Sequence, residues 1–238
     1  MTTPRLLSFD LDGTLVDSAA EIAEAVNRTL QEFGLATRPV ERIRALIGRG
    51  SHALMSTVLA QARAEASFEC LMPEAQVLER FDAHYADTTG LFSEPYSGAH
   101  EALDLLHEHG LQLACVTNKE GVHARRLLDR HGLQRHFALV VAGDTLPRQK
   151  PHASVLRTVA AFMAVPLHAV VHVGDSEIDV LAGRNAGVRA WAVPHGYNAG
   201  RPIAEAGPDA LLPDLMAVAR AALDPAFGRR PRRRHPDA

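Results

Sequence analysis

From residue 95 onward, short apolar runs alternate with segments of helical periodicity, and this alternation constrains the fold more than any other feature of the chain. Residues 111–117, 137–142, 169–173 and 188–193 read as strands, while 97–109, 122–131, 152–164 and 176–186 read as helices. Strands separated by helices form βαβ units, so the sequence predicts an α/β fold with a doubly wound, Rossmann-like parallel sheet. The apolar run before Asp10 adds a first strand, 209–212 a candidate edge strand and 213–223 a last helix.

No strand pattern interrupts residues 19–92. Ile22, Val26, Leu30 and Phe33 form one helical face that Gly34 stops, and Pro39 opens a second helix with Val40, Ile43, Leu46 and Ile47, closed by Gly48. Ser51 is placed to cap a third helix through Leu54, Met55, Val58 and Leu59, and Pro73 starts a fourth through Val77, Leu78, Phe81 and Tyr85. The expected organisation is a core built from 1–18 and 93–228, a helical cap inserted over 19–92, and a disordered basic tail over 229–238. That tail holds Arg229, Arg230, Arg232, Arg233 and Arg234 against Asp237, so the rest of the chain is more acidic than the overall formal charge of -3.

Open α/β sheets bind ligands beyond the carboxyl ends of their strands, and polar residues stand at those points. Asp10 and Asp12 follow the first strand and can share one face while Leu11 packs on the other. Like charges so close call for a cation with oxygen ligands, most simply Mg²⁺. Gly13 allows a sharp turn whose backbone N–H groups can face an anion. Thr117 and Asn118, after the next strand, either hold phosphate oxygens or cap the following helix. Pro151 places Lys150 at a helix start, where the macrodipole favours an anion. Asp175 and Asp179 lie at the tip of a later strand and in the first turn of its helix; one can ligate a metal while the other orients ligands or pairs with Lys150. The chain has 25 Lys+Arg, yet lysine occurs only at 119 and 150, both inside these phosphate-facing segments.

Composition removes other function classes. An aromatic share of 5% and an acidic body argue against a nucleic-acid surface. Cys70 and Cys115 cannot make a secreted disulfide framework, and no signal peptide or membrane span is expected, so a cytoplasmic setting is. His107 and His109 fall on different helix faces and His172 reads as a sheet neighbour, so no zinc set is expected. Gly48-x-Gly50 follows a helix rather than a strand and is no dinucleotide fingerprint. The oligomeric state stays open between monomer and dimer.

Taken in order, Asp10-Leu11-Asp12-Gly13-Thr14-Leu15-Val16-Asp17-Ser18, Thr117-Asn118, Lys150-Pro151 and Gly174-Asp175 with Asp179 resemble the signatures of the haloacid-dehalogenase superfamily of phosphatases. Ile47-Gly48-Arg49-Gly50, Tyr96-Ser97-Gly98, Gly143-Asp144-Thr145-Leu146-Pro147 and Gly196-Tyr197-Asn198 are similar to its bacterial phosphoglycolate phosphatase family, in which a proline often stands where this chain has Ala153. The resemblance implies a Mg²⁺-dependent enzyme that hydrolyses a small phosphate monoester such as 2-phosphoglycolate through an aspartyl-phosphate. It implies Asp10 as nucleophile and Asp12, kept protonated by neighbouring acids, as acid and base. It further implies a metal held by Asp10, the backbone carbonyl of Asp12 and Asp175, phosphate contacts from Gly13, Thr117, Asn118 and Lys150, and Asp179 behind them. Arg49 is a candidate to meet a substrate carboxylate. Rival readings are a β-phosphoglucomutase-like phosphomutase, a broader sugar-phosphate phosphatase and, from another class, a receiver-like phosphoacceptor module.

Overall fold

Every residue of the first strand, β1 (Leu6–Phe9), is buried, which is what a strand covered by helices on both faces requires. The structure, a computed structural model, describes residues 3–65 and 72–227; Cys70 and the 229–238 tail lie outside the described residues. After β1 come β2 (Val16–Asp17) and four helices, α1 (Ala19–Glu32), α2 (Val40–Arg44), α3 (Ser51–Glu65) and α4 (Glu74–Thr88), and then β3 (Glu94–Pro95). The alternating part follows as α5 (Ala99–Glu108), β4 (Gln112–Val116), α6 (Gly121–Arg130), β5 (Leu139–Val141) and α7 (Ala153–Phe162). It ends with β6 (Val170–Gly174), α8 (Glu177–Ala186), β7 (Arg189–Ala192), β8 (Ala210–Leu211) and α9 (Leu215–Leu223).

The main sheet runs β5-β4-β1-β6-β7-β8 with every pairing parallel. Alternation along β1 splits its side chains between the two layers. Leu7 and Phe9 pack with Leu103 of α5, Leu127 of α6 and Val218 of α9. Leu6 packs with Leu156 and Val159 of α7 and Ala182 of α8. β1 therefore sits inside the sheet, with β4 and β5 on one side and β6, β7 and β8 on the other. That is the position at which such sheets form their ligand crevice.

The helices between β2 and β3 have a core of their own, including Ile22, Val26, Leu30, Met55, Val77, Phe81 and Tyr85. A two-stranded antiparallel ladder, Val16 opposite Pro95 and Asp17 opposite Glu94, ties the two connections to the sheet. Two-residue strands carry no readable alternation, and the sequence pattern does not predict this ladder. The second insert helix is shorter than its apolar spacing suggests: it ends at Arg44, and Leu46 and Ile47 donate to Ile43 and Arg44 in tighter turns. α7 begins at Ala153 with His152 as its cap, so Lys150 precedes the helix rather than opening it. Asn118 holds Lys150 in place instead, its Oδ1 accepting from the Lys150 N–H at 2.9 Å.

Candidate active site

Asp10 directly follows β1, its N–H bound to Val173 at 2.9 Å, on the same side of the strand as Ser8. The chain then turns through Gly13 at φ +85°, where an added Cβ would stand 2.4 Å from Asp175 Oδ2. Only glycine fits both the turn and that approach. Asp175 follows β6 in the same way. Its Oδ1 accepts from Thr14 Oγ1 at 2.7 Å and its Oδ2 from the Tyr197 N–H at 2.8 Å, which fixes the carboxylate over the turn.

Oxygens of Asp10, Asp175 and Asp179 lie within 4.8 Å of one another, all buried. Lys150 Nζ stands 2.9 Å from Asp10 Oδ1 and 2.7 Å from Asp179 Oδ1. Asp179 is fully committed: Oδ1 also meets His172 Nε2 at 3.1 Å, and Oδ2 accepts from the Ser176 N–H and hydroxyl at 3.1 and 2.6 Å. Ser8 Oγ, across the β1–β6 register, holds the other nitrogen of His172 at 2.9 Å. Asp179 thus orients Lys150, while Asp10 and Asp175 are the pair left to hold a cation.

Burial and neighbouring charge act differently on the three acids. Burial lifts the Asp10 carboxyl to about 6, with Lys150 opposing and Asp179 and Asp12 adding to the rise. Burial, then Asp179 and Asp10, raises Asp175 well above the usual carboxylate range. Burial alone would raise Asp179 too, but Lys150 and His172 outweigh it and hold its carboxyl low. Three carboxylates around one ammonium are short of positive charge, and Asp10 Oδ1 is buried without an aligned hydrogen-bond donor. Hard oxygen donors in that state fit a divalent cation.

Asp12 faces another way. Its Oδ1 accepts from Ser18 Oγ at 2.5 Å and from Lys119 Nζ at 2.9 Å, so its side chain is not part of the three-acid group. A cation, and not only neighbouring acids, therefore bears on Asp12. Lys119 also meets the Tyr85 hydroxyl and lies 3.6 Å from Glu21 Oε1. The lysine expected beside phosphate is instead turned to Asp12 and the helical insert.

Thr117, Asn118 and Lys119 line one cavity with Asp10, Asp12 and Tyr85, roofed by Ile22, Ile47, Ser51 and Leu54 of the insert. The Asn118 amide is spent elsewhere: Nδ2 donates to the Gly48 and Lys150 carbonyls, each at 2.9 Å. Of the phosphate contacts expected there, the Thr117 hydroxyl and the local backbone remain. Arg49 is exposed and lines a separate outer cleft with Ser176, Glu177 and Asn198, so the structure does not bring it to the acids. Gly48 and Gly50, at φ +131° and +91°, turn the chain so that the backbone faces Asn118 and the arginine faces away.

Sequence reasoning assigned no site role to Ser18, Glu21, Tyr85 or Tyr197. The Tyr197 hydroxyl accepts from the N–H groups of Ser18 and Ala19 at 2.8 and 3.1 Å and donates to Asp17 at 2.8 Å, so it joins the start of α1 to the segment that holds Asp175. The one available signal for Glu21 and Tyr85 was Lys119 itself, since a buried lysine needs an anion and hydrogen-bond acceptors around it.

The sequence profile described as haloacid dehalogenase-like hydrolase matches residues 7–193. A phosphoglycolate phosphatase of Pseudomonas fluorescens is 40% identical over 223 residues, 94% of this chain and 81% of the relative. One from Vibrio parahaemolyticus is 34% identical over 90% of this chain and 94% of its own length. The crystal structure of a "predicted phosphoglycolate phosphatase" from Haemophilus somnus superposes with a TM-score of 0.89 at 29% identity, over 92% of this chain and 98% of that one. With the strand-end acids, the lysine and the parallel sheet all in the expected order, the chain belongs to the haloacid dehalogenase-like hydrolases.

Proposed function

We propose that the protein is a Mg²⁺-dependent phosphoric monoester hydrolase acting on a small phosphorylated metabolite, with 2-phosphoglycolate as substrate and glycolate and phosphate as products. The observation that carries this reading is the meeting of Asp10, Lys150 and Asp175 at one end of the sheet, with Asp12 lining the same cavity as Asp10. The choice of 2-phosphoglycolate rests on the similarity to the phosphoglycolate phosphatases of Pseudomonas fluorescens and Vibrio parahaemolyticus.

Asp10 attacks phosphorus in line, and an aspartyl-phosphate forms as the bond to the leaving oxygen breaks; Asp12 gives that oxygen its proton. Asp12 then takes a proton from water, which attacks the phosphorus, releases inorganic phosphate and restores the Asp10 carboxylate. Lys150, the Thr117 hydroxyl and the backbone near Gly13 and Asn118 hold the non-bridging oxygens. Asp10, Asp175 and the Asp12 carbonyl would hold Mg²⁺, which supplies positive charge against the phosphoryl oxygens. The insert over 19–92 acts as a cap that excludes water and selects the leaving group. This assignment requires neither nucleic acid nor a membrane. The buried free thiol of Cys115 suits the reducing cytoplasm in which we place the enzyme.

Phosphate release from a panel of esters, with Mg²⁺ added, tests the proposal. The expected result is multiple turnover with 2-phosphoglycolate at the highest kcat/KM. Higher kcat/KM on sugar phosphates, or conversion of a sugar phosphate to its isomer without phosphate release, would overturn the substrate. A single turnover that leaves a stable phosphoprotein would overturn the enzyme in favour of a signalling module.

A further inference from the structure

We propose that Lys119 is a positioning residue for the acid–base carboxyl: its ammonium, clamped by Glu21 and Tyr85 of the helical insert, pins one oxygen of Asp12 so that the other meets the leaving group. The inference rests on the assignment of Asp12 to proton transfer. It starts from a group that the phosphoryl-transfer steps leave unused, an ammonium whose side chain is 1% exposed.

A buried ammonium is costly unless its donors and its charge are both matched. Lys119 Nζ meets Asp12 Oδ1 at 2.9 Å, the Tyr85 hydroxyl, and Glu21 Oε1 at 3.6 Å, and it lies 4.9 Å from the Tyr85 ring centroid. Two of its protons go to Asp12 and Tyr85 and its charge is matched by Glu21, so the group is committed to this cluster rather than to a substrate anion. Glu21 is equally confined, fully buried with Oε2 taking the Gly90 N–H at 2.6 Å.

The consequence falls on Asp12. Oδ1 carries two donors, Lys119 Nζ and Ser18 Oγ, whereas Oδ2 has none among the described residues. Rotation about the last torsion of an aspartate is soft, and two donors on one oxygen remove that freedom. Oδ2 is therefore the oxygen that gives the proton to the leaving alkoxide and later takes one from water. Glu21 and Tyr85 belong to α1 and α4, so the insert contributes to this alignment without touching the reacting atoms.

The test compares two esters that differ in their need for a proton. An alkoxide such as glycolate leaves poorly unless protonated, whereas p-nitrophenolate leaves without help, and general acid catalysis is worth about 10²–10⁴-fold. Lys119→Met should lower kcat for 2-phosphoglycolate about 100-fold and for p-nitrophenyl phosphate less than about tenfold, with each KM within about threefold. Lys119→Met paired with Glu21→Gln removes both buried charges together, so selective loss in this variant stands clear of a folding defect. Tyr85→Phe should show the same selectivity at smaller size. Equal loss on both esters, or a raised KM at constant kcat, would overturn the positioning role. If Asp12→Ala also fails to discriminate between the esters, the assignment of Asp12 is at fault rather than that of Lys119.

Discussion

The chain's two lysines stand in two differently built halves of one pocket. Lys150 is held by Asp10 and Asp179, which follow β1 and lie in α8, while its backbone is held by Asn118 after β4. All of these belong to the sheet, the loops at its strand ends and the covering helix α8. Lys119 is held by Asp12 from the sheet side and by Glu21 and Tyr85 from the insert. The first half can form as the sheet forms; the second exists only when the insert is seated. With the roles proposed for Lys150 and Asp12, phosphate gripping and proton transfer draw on different parts of the fold. Removing one partner of a buried pair costs about 3–5 kcal/mol because the other charge stays behind, so each half can be probed separately.

The largest effect is expected at the proposed nucleophile, which belongs to the Lys150 half. Asp10→Asn should lower kcat at least about 1,000-fold, about 4 kcal/mol of barrier, and abolish trapping of an acyl-phosphate in quenched turnover. Activity within about tenfold of the parent would remove Asp10 as nucleophile.

Asp179→Asn comes next and sharpens the contrast. It leaves Lys150 with one carboxylate and disturbs acceptors for His172 and Ser176, so a stability loss of about 3–5 kcal/mol should accompany a fall in turnover of about 100-fold. Urea unfolding and steady-state kinetics read the two effects. If Lys150 grips phosphate as proposed, it does so whatever the leaving group, and the kcat loss should be the same on alkyl and aryl esters. Loss confined to alkyl esters would erase the distinction between the halves.

How legible each half was in the sequence follows the same division. The acids at 10, 12, 175 and 179 and the lysine at 150 sit beside strand ends whose apolar runs are readable, and chain order alone brings them together in a doubly wound sheet. The first insert helix was legible as well, from Ile22, Val26 and Leu30 at helical spacing. Its partners across the pocket were not. Glu21 lies next to that apolar stripe and reads as a solvated helix position, and Tyr85 reads as one more core aromatic, because nothing local states that a lysine far along the chain will point at them. Asn118 shows the same limit: its position at a strand end suggested phosphate, while its amide is spent on Gly48 and Lys150 by contacts that only the assembled structure creates.

His123 offers a pH test of the insert-dependent half. It projects from α6, stacks on Tyr85 with ring centroids 4.1 Å apart, and bonds Thr89 at 2.9 Å. Burial, then the nearby Lys119 charge, lowers its pKa to about 4, below the value of about 6.5 for an unfolded histidine. Between those values the unfolded chain binds a proton that the folded chain refuses, so this residue's contribution to stability falls as pH drops from about 6.5 to about 4 and levels off below. His131, His136, His172 and His195 are also lowered, chiefly by burial, and add to the same trend. His123→Leu should therefore reduce, without abolishing, the drop in urea midpoint between pH 7 and pH 5; an unchanged drop would mean that the junction tolerates an imidazolium.

The smallest effect is expected at Arg49. An arginine on a glycine-flanked turn of the insert is an attractive receptor for a substrate carboxylate, yet here it is exposed in the outer cleft, and the cavity that holds Asp10 and Asp12 is lined from the insert by Ile22, Ile47, Ser51, Leu54 and Tyr85. An exposed guanidinium outside the cavity has only a screened, long-range field with which to influence a bound anion. Arg49→Ala should leave kcat/KM for 2-phosphoglycolate within about twofold, and the ratio to ethyl phosphate, which has no carboxylate, unchanged at raised salt. A fall of about tenfold or more confined to the carboxylate ester, about 1.4 kcal/mol, would mean that the turn through Gly48 and Gly50 swings inward during catalysis, making the insert a source of substrate contacts as well as of support for Lys119.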